Sequence, residues 1–202
     1  MTEPGRKRVP LVIVISGPSG VGKDVVIDSI IGKNPNFHHV VTATTRKKRP
    51  GEIDGVDYFF LTKNQFTLKR FAGEFLEYAE VYGNYYGVLK SEVQNPLKEG
   101  KDVILKVDVQ GALTLKREMP GALFIFLAPS SIDDLLKRMK KRNADTDAAM
   151  KIRINKAKEE MKSQKLFHYS VVNLQDNLDQ TVKIVHSYIT EYRRGNPIIR
   201  IT

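Results

Sequence analysis

Gly17-Pro18-Ser19-Gly20-Val21-Gly22-Lys23 is the stretch on which the fold turns. The apolar, β-branched run Val9–Ile15 leads into it, the pattern of a strand buried on both faces. Apolar residues at Val25, Val26, Ile30 and Ile31 follow, which predicts a helix from Lys23 to Ile31 that stops at Gly32. A strand, a glycine turn and a helix in that order aim backbone N–H groups at one point on the helix N-terminus, where phosphate oxygens bind. The lysine after the last glycine extends to the same phosphates. Without Lys23 the stretch would be an ordinary strand-to-helix turn; with it, the loop is built for phosphate. The usual pattern then has Ser or Thr, whose hydroxyl helps hold Mg²⁺, but Asp24 stands here. That carboxylate either joins the metal, directly or through water, or only favours the helix N-terminus electrostatically.

Outward from the loop, strands and helices alternate. Strands are expected at His38–Thr42, Asp57–Leu61, Phe75–Tyr82, Asp102–Val107, Ala122–Leu127 and Ser170–Val172, with Asn84–Gly87 following the third. Helices are expected near Lys63–Phe71, Ser91–Lys98, Gly111–Met119, Ser131–Arg142, onward to about Leu166, and Leu178–Tyr192. Asn143–Asp147 breaks the pattern between two of these helices. Such alternation predicts an α/β fold with a mainly parallel sheet and right-handed crossovers. Thr42–Lys90, with short strands, tight turns and several tyrosines, interrupts the rhythm and reads as an insertion. The arginine-rich stretch around Arg138–Arg153 reads as a second.

The 202 residues, 41% apolar and 28% charged, suit one soluble globular domain. No apolar run reaches the ~18 residues a membrane span needs. Cysteine is absent, so disulfides and thiolate metal sites are excluded, which suits a reducing compartment. Arg6, Lys7 and Arg8 precede an apolar segment that runs straight into the glycine loop, a strand entering a site rather than a signal peptide. A cytoplasmic protein is expected, or a plastid or other organellar one if a transit peptide has been removed. The net charge of +10 fits either a polynucleotide or a small phosphate-rich ligand. No basic stripe interleaved with aromatics favours the former, so neither nucleic acid nor membrane is expected as a partner. The histidines have no metal-site spacing.

Arg46 and Arg49 sit three apart in the polar stretch Thr42–Glu52, with Tyr58 beyond. Two arginines in a loop are either solvated surface or a forked clamp on one anion. Their neighbours decide. Thr44–Glu52 reads T-x-R-x-x-R-P-G-E, Glu74–Glu77 reads E-F-x-E, Gly83–Gly87 reads G-N-Y-Y-G, and Val107–Gly111 reads V-D-x-Q-G. In that order, behind the glycine loop, the set resembles guanylate kinases from Val12 to about Glu191, most closely a plastid-type pattern.

The resemblance implies a P-loop NTPase three-layer α/β/α fold with a mixed-sheet GMP-binding insertion (42–90), a helical lid (about 131–165) and a core at 1–41, 91–130 and 166–202. It implies Mg²⁺-dependent transfer of the ATP γ-phosphoryl group to GMP, with dGMP as a further acceptor, by a monomer or homodimer. Gly17, Pro18, Ser19, Gly20, Val21, Gly22, Lys23 and Asp24 would hold ATP, and Asn173 would lie beside adenine, although Leu174-Gln175 departs from the acidic residues usual there. Arg46, Arg49, Tyr58 and Tyr86 would hold the GMP phosphate. Thr42, Glu77 and Asp108 would read guanine. Lys23 and Arg46, with the lid arginines Arg138, Arg142 and Arg153, would neutralise charge during transfer. A carboxylate that accepts two donors suits guanine, whereas adenine offers an acceptor at N1.

Three residues depart from the family pattern: Asp24, Lys106 where an aspartate is common, and Val88 where a hydroxyl is common. They leave open a catalytically weak interaction module of the same fold. They also fit a swap, in which Asp24 takes over the metal role and Lys106 pairs with it or with phosphate.

Overall fold

The computed structural model describes residues 8–81, 83–142, 147–174 and 177–195. The apolar run of the opening stretch is β1 (Val12–Ser16), every residue of which is buried. It lies at the centre of a five-stranded sheet with β2 (Phe37–His39), β7 (Asp102–Lys106), β8 (Leu123–Pro129) and β9 (Tyr169–Asn173), in the order β2-β7-β1-β8-β9. All four pairings are parallel. Alternation along β1 divides the core. Val12 and Val14 pack with Val93 of α3 (Lys90–Lys98) and with Ala112 and Leu115 of α4 (Val109–Glu118). Ile13 and Ile15 pack with Val26, Ile27 and Ile30 of α1 (Lys23–Lys33) and with Val182, Val185 and Ile189 of α7 (Leu178–Gly195). The fold is therefore helix, sheet, helix, and each buried aliphatic side chain contributes about 1.5–3 kcal/mol to holding it.

Asp102, fully buried at the start of β7, accepts from the Leu11 N–H at 2.8 Å and pairs with Arg8 and Arg193. A buried carboxylate needs such partners. They tie both ends of the described chain to the end of the sheet away from the glycine loop.

A second, mixed sheet has the order β4-β3-β6-β5, built from β3 (Thr42–Thr44), β4 (Phe59–Phe60), β5 (Phe75–Val81) and β6 (Asn84–Leu89). Helix α2 (Lys63–Phe71) starts in a capping box between Thr62 and Gln65. It buries Phe66 between Phe75 and Tyr85, ring centroids 4.4 and 5.4 Å away. Register then fixes one row of side chains: Thr42 faces Val88, and Val88 faces Glu77. Residues opposite one another on adjacent strands share a face.

Helices α5 (Ile132–Arg142) and α6 (Asp147–Lys162) follow β8, and a 3₁₀ turn at Ser163–Leu166 leads into β9. The expected break at Asn143–Asp147 falls largely on residues 143–146, outside the described residues, as does Gln175.

Two expectations are corrected. Helix α1 does not stop at Gly32 but runs through it to Lys33, because a glycine one residue from the end costs little and Asn34 supplies the cap. The strand expected over His38–Thr42 is two strands in different sheets. Val40 donates to Ile104 and ends the first, and Thr42 begins the other. A continuous β-branched run hides such a change of partner.

Candidate active site

The carboxyl ends of β1 and β7 and the inner face of the second sheet enclose a cavity of about 520 Å³. The glycine loop forms its floor. Gly22 caps α1 at φ 96°, a left-handed conformation that disfavours any side chain. Gly17 passes so close to β8 that a Cβ there would meet the Leu127 carbonyl oxygen at 2.2 Å. Lys23 turns back over this loop, donating to the carbonyls of Gly17 at 2.7 Å and Pro18 at 3.2 Å. Burial lowers the pKa of its ammonium, and Glu160 and Asp24 counter that pull.

On the opposite wall, the Arg46 guanidinium makes a two-point ion pair with Glu52, at 2.9 and 2.7 Å. Its carbon lies 5.2 Å from the Tyr58 ring and 5.6 Å from that of Phe60. Glu52 also accepts the Arg49 backbone N–H at 2.7 Å, so one carboxylate shapes the whole arginine loop. Arg49, Tyr58 and Tyr86 complete this wall, the two tyrosines edge-to-face at 6.1 Å. The result is a preformed basic fork backed by aromatic rings, suited to a phosphate.

Deeper in, the row on the second sheet meets the N-terminus of α4. Asp108 caps that helix, its Oδ1 accepting from Gly111 N–H at 2.8 Å. Its Oδ2 is buried without a hydrogen bond among the described residues, and so are Glu77 Oε2 and Thr42 Oγ1. Lys156 approaches Asp108 Oδ2 only to 3.7 Å, an ion pair rather than a hydrogen bond. Burial, with Asp108 nearby, pushes the Glu77 carboxyl up to about 8. Buried polar atoms are normally satisfied. Three acceptors left over in one pocket mark a place for a ligand rich in donors.

Between the two walls, Lys106 Nζ lies 2.5 Å from Asp24 Oδ1. From above, α6 contributes Arg153, Lys156 and Glu160, spaced three and four apart so that they share one face. Arg153 donates to Ser19 Oγ at 3.3 Å, and Glu160 accepts the Ser19 backbone N–H.

The guanylate kinase family profile matches residues 9–192. The chain belongs to the guanylate kinase family. It is 47% identical over 182 residues to guanylate kinase 2, chloroplastic/mitochondrial, of Oryza sativa subsp. japonica, a match that covers 89% of this chain and 64% of the rice protein. It is 43% identical over 179 residues to a guanylate kinase of Clostridium perfringens, covering 89% and 82% of the two chains. The crystal structure of guanylate kinase from Anaplasma phagocytophilum superposes with a TM-score of 0.75 at 29% identity, over 92% of this chain and 88% of that one.

Most residues expected from the guanylate kinase pattern line the cavity, whereas Pro18, Val21 and Gly22 of the loop do not. The cavity brings together Gly17, Ser19, Gly20, Lys23, Asp24, Thr42, Arg46, Arg49, Tyr58, Glu77, Tyr86, Asp108 and Arg153. Arg138 and Asn173 lie behind the loop instead, donating to the Val21 carbonyl at 3.1 and 2.8 Å. Arg138 is further held by Asp134 at 2.8 Å and by the Asn173 carbonyl at 3.1 Å. In this geometry both brace the loop's backbone, and neither lines the cavity. The Arg142 side chain lies outside the described residues. Val88, fully buried between Thr42 and Glu77, offers the pocket no hydroxyl. Lys156 and Glu160 were not expected from the sequence, where they sit in a charged helix with no local motif. Counting three and seven residues on from Arg153 would have found them. Among the described residues no helix is long and apolar enough to cross a membrane, and no cluster of three metal-ligating side chains occurs.

Proposed function

We propose that the chain transfers the γ-phosphoryl group of ATP to GMP, reversibly, giving ADP and GDP, and that dGMP serves as a further acceptor. The observation that carries the reading is the set of unsatisfied acceptors Thr42 Oγ1, Glu77 Oε2 and Asp108 Oδ2, in one cavity with the glycine loop and the Arg46–Arg49 fork. Guanine presents N1–H and a 2-amino group, donors that Glu77 and its neighbours accept; adenine would leave them unpaired. The groups assigned here read base and phosphate, and none is assigned to the 2′-hydroxyl, which is why dGMP is included.

The transfer needs no side-chain nucleophile. A GMP phosphate oxygen forms the new bond to the γ-phosphorus as the bond to the β,γ-bridging oxygen breaks, and that oxygen leaves with its electron pair on ADP. Lys23 and the loop amides hold the donor phosphates. Arg46, Arg49, Tyr58 and Tyr86 aim the acceptor phosphate, and Arg153 reaches in from α6. Positioning and charge neutralisation then supply most of the rate, and closing α6 over the cavity keeps out water, which would otherwise accept the phosphoryl group. Residues 131–165 are the lid in this reading, 42–90 the GMP-binding insertion, and the rest the core. Arg138 supports the donor loop from behind.

Magnesium would neutralise charge on the donor phosphates. Asp24 fits such an ion, since its carboxylate is half-exposed, opens into the cavity beside Lys23, and Mg²⁺ takes one or two carboxylates with phosphates and waters.

A coupled ADP assay with ATP, Mg²⁺ and GMP, dGMP, AMP, CMP or UMP tests the reading. Turnover is expected with GMP and dGMP alone. Turnover with AMP but not GMP would overturn the assignment of Glu77, and no ADP with any acceptor would leave an interaction module.

A further inference from the structure

Lys106 closes β7 at its carboxyl end, paired in register with Ile15 just before the glycine loop. On one side its ammonium meets Asp24, in the first turn of α1. On the other it lies 4.9 Å from the centre of the Tyr58 ring and hydrogen-bonds to Tyr58. That ring in turn carries the Arg46 guanidinium at 5.2 Å and packs against Tyr86. One side chain, only 13% exposed, therefore touches the helix that follows the donor loop and the aromatic backing of the acceptor fork.

Burial works against the lysine's charge, but Tyr58 and Asp24 outweigh it and hold its pKa above the ordinary value. His39, on the neighbouring strand β2, is pushed down to about 4 by burial and then by Lys106, so it adds no rival charge at neutral pH. Of the other charged groups here, Asp28 and Asp57 are acidic, and Lys23 is a second cation, on the donor side.

We propose that Lys106 is a positioning residue that couples the donor and acceptor sites, so that each nucleotide binds more tightly when the other is present. The inference rests on reading the cavity as an ATP and GMP site. Two phosphate groups brought together in one cavity repel, and a fixed cation attracts each of them separately, so a gain for the second to arrive must come from ordering of the protein by the first. The tether Asp24–Lys106–Tyr58 adds a mechanical link, since ordering either end orders the other. Such coupling is reciprocal by linkage.

Calorimetric titration of the full chain with GMP, alone and with saturating ADP and Mg²⁺, tests this. In the wild type, ADP is expected to tighten GMP binding about tenfold, within the usual range of coupling between two sites. In Lys106→Met each nucleotide alone is expected to bind more weakly, and the tenfold gain should fall below twofold. Lys106→Arg should recover most of it. If Lys106→Met gives no cooperative thermal transition, Asp24→Asn, which weakens the same tether from the other end, is expected to shrink the gain too. A gain that persists in the variant tested, or wild-type GMP affinity that ignores ADP, overturns the coupling and leaves the functional reading intact. Failure of the wild type to bind GMP overturns both.

Discussion

Gly111 lies directly against the carboxylate of Glu77: a Cβ built on it would stand 3.0 Å from both carboxylate oxygens. Neither its φ nor its place in the first turn of α4 requires glycine, so the requirement comes from Glu77 alone. Gly111→Ala keeps the N–H that Asp108 accepts, and it gains about 1 kcal/mol of helix propensity to set against the crowding. Thermal stability should therefore move by no more than a few degrees. KM for GMP should rise about tenfold as Glu77 is displaced, with KM for ATP unchanged. Steady-state kinetics and a melting curve check both halves.

The same carboxylate governs a pH dependence. With its pKa raised to about 8, Glu77 is largely protonated at pH 7, whereas guanine's donors call for the ionised form. GMP binding should then release close to one proton at pH 7 and tighten about tenfold per unit up to pH 8, then level off. Asp108 faces the same carboxylate, so Glu77→Gln is the control. It should bind GMP poorly and show neither the slope nor the proton release, which titrations in buffers of different ionisation enthalpy measure. Stability carries the opposite sign. A carboxyl raised in the folded state stabilises the fold below its unfolded value near 4.5, and that contribution is lost as pH rises through 8. Glu77→Gln should therefore be the more stable protein at pH 9, by at least about 1 kcal/mol.

Glu52 orients Arg46 from a half-sheltered position, both side chains being less than one-fifth exposed. The Arg46 hydrogen bond holds the Glu52 carboxyl below the usual carboxylate range, countering burial, so the pair stays charged into mild acid. Glu52→Gln leaves the guanidinium without its two-point anchor. KM for GMP is expected to rise about tenfold, since orientation of a forked donor is what a bidentate contact supplies. A variant with unchanged KM for GMP would show that Tyr58 and Phe60 suffice to hold Arg46.

Much of this site is legible in the sequence because its parts are local. The glycine loop needs its lysine and glycines within seven residues, and the arginine fork, Glu77, Tyr86 and Asp108 each sit in a short motif. What a motif cannot show is which residues meet across the fold. Arg138 and Asn173 meet over the Val21 carbonyl from two separate elements, so their place behind the loop depends on packing rather than spacing. Lys156 and Glu160 follow Arg153 at helical spacing, but that this face of α6 covers the cavity is a matter of packing. The strand error at His38–Thr42 has a similar cause: both halves are β-branched or aromatic enough for a strand, and only the tertiary pairing sends them to different sheets.

Asp24 stands where a hydroxyl is usual, and the consequence concerns metal use. A hydroxyl contributes a neutral ligand; a carboxylate contributes a charge, so affinity for the metal–nucleotide complex should depend more steeply on this residue. Its partner Lys106 opposes that by neutralising the carboxylate when no cation is near. Asp24→Ala should raise the Mg²⁺ concentration for half-maximal activity about tenfold at saturating ATP, and Asp24→Ser should restore part of the loss. The same shift should appear in binding: Mg²⁺ should strengthen ADP binding to the wild type more than to Asp24→Ala. If both measures of Mg²⁺ dependence are identical in the two proteins, Asp24 acts only on the helix terminus and on Lys106, and the metal is held by phosphate and water alone.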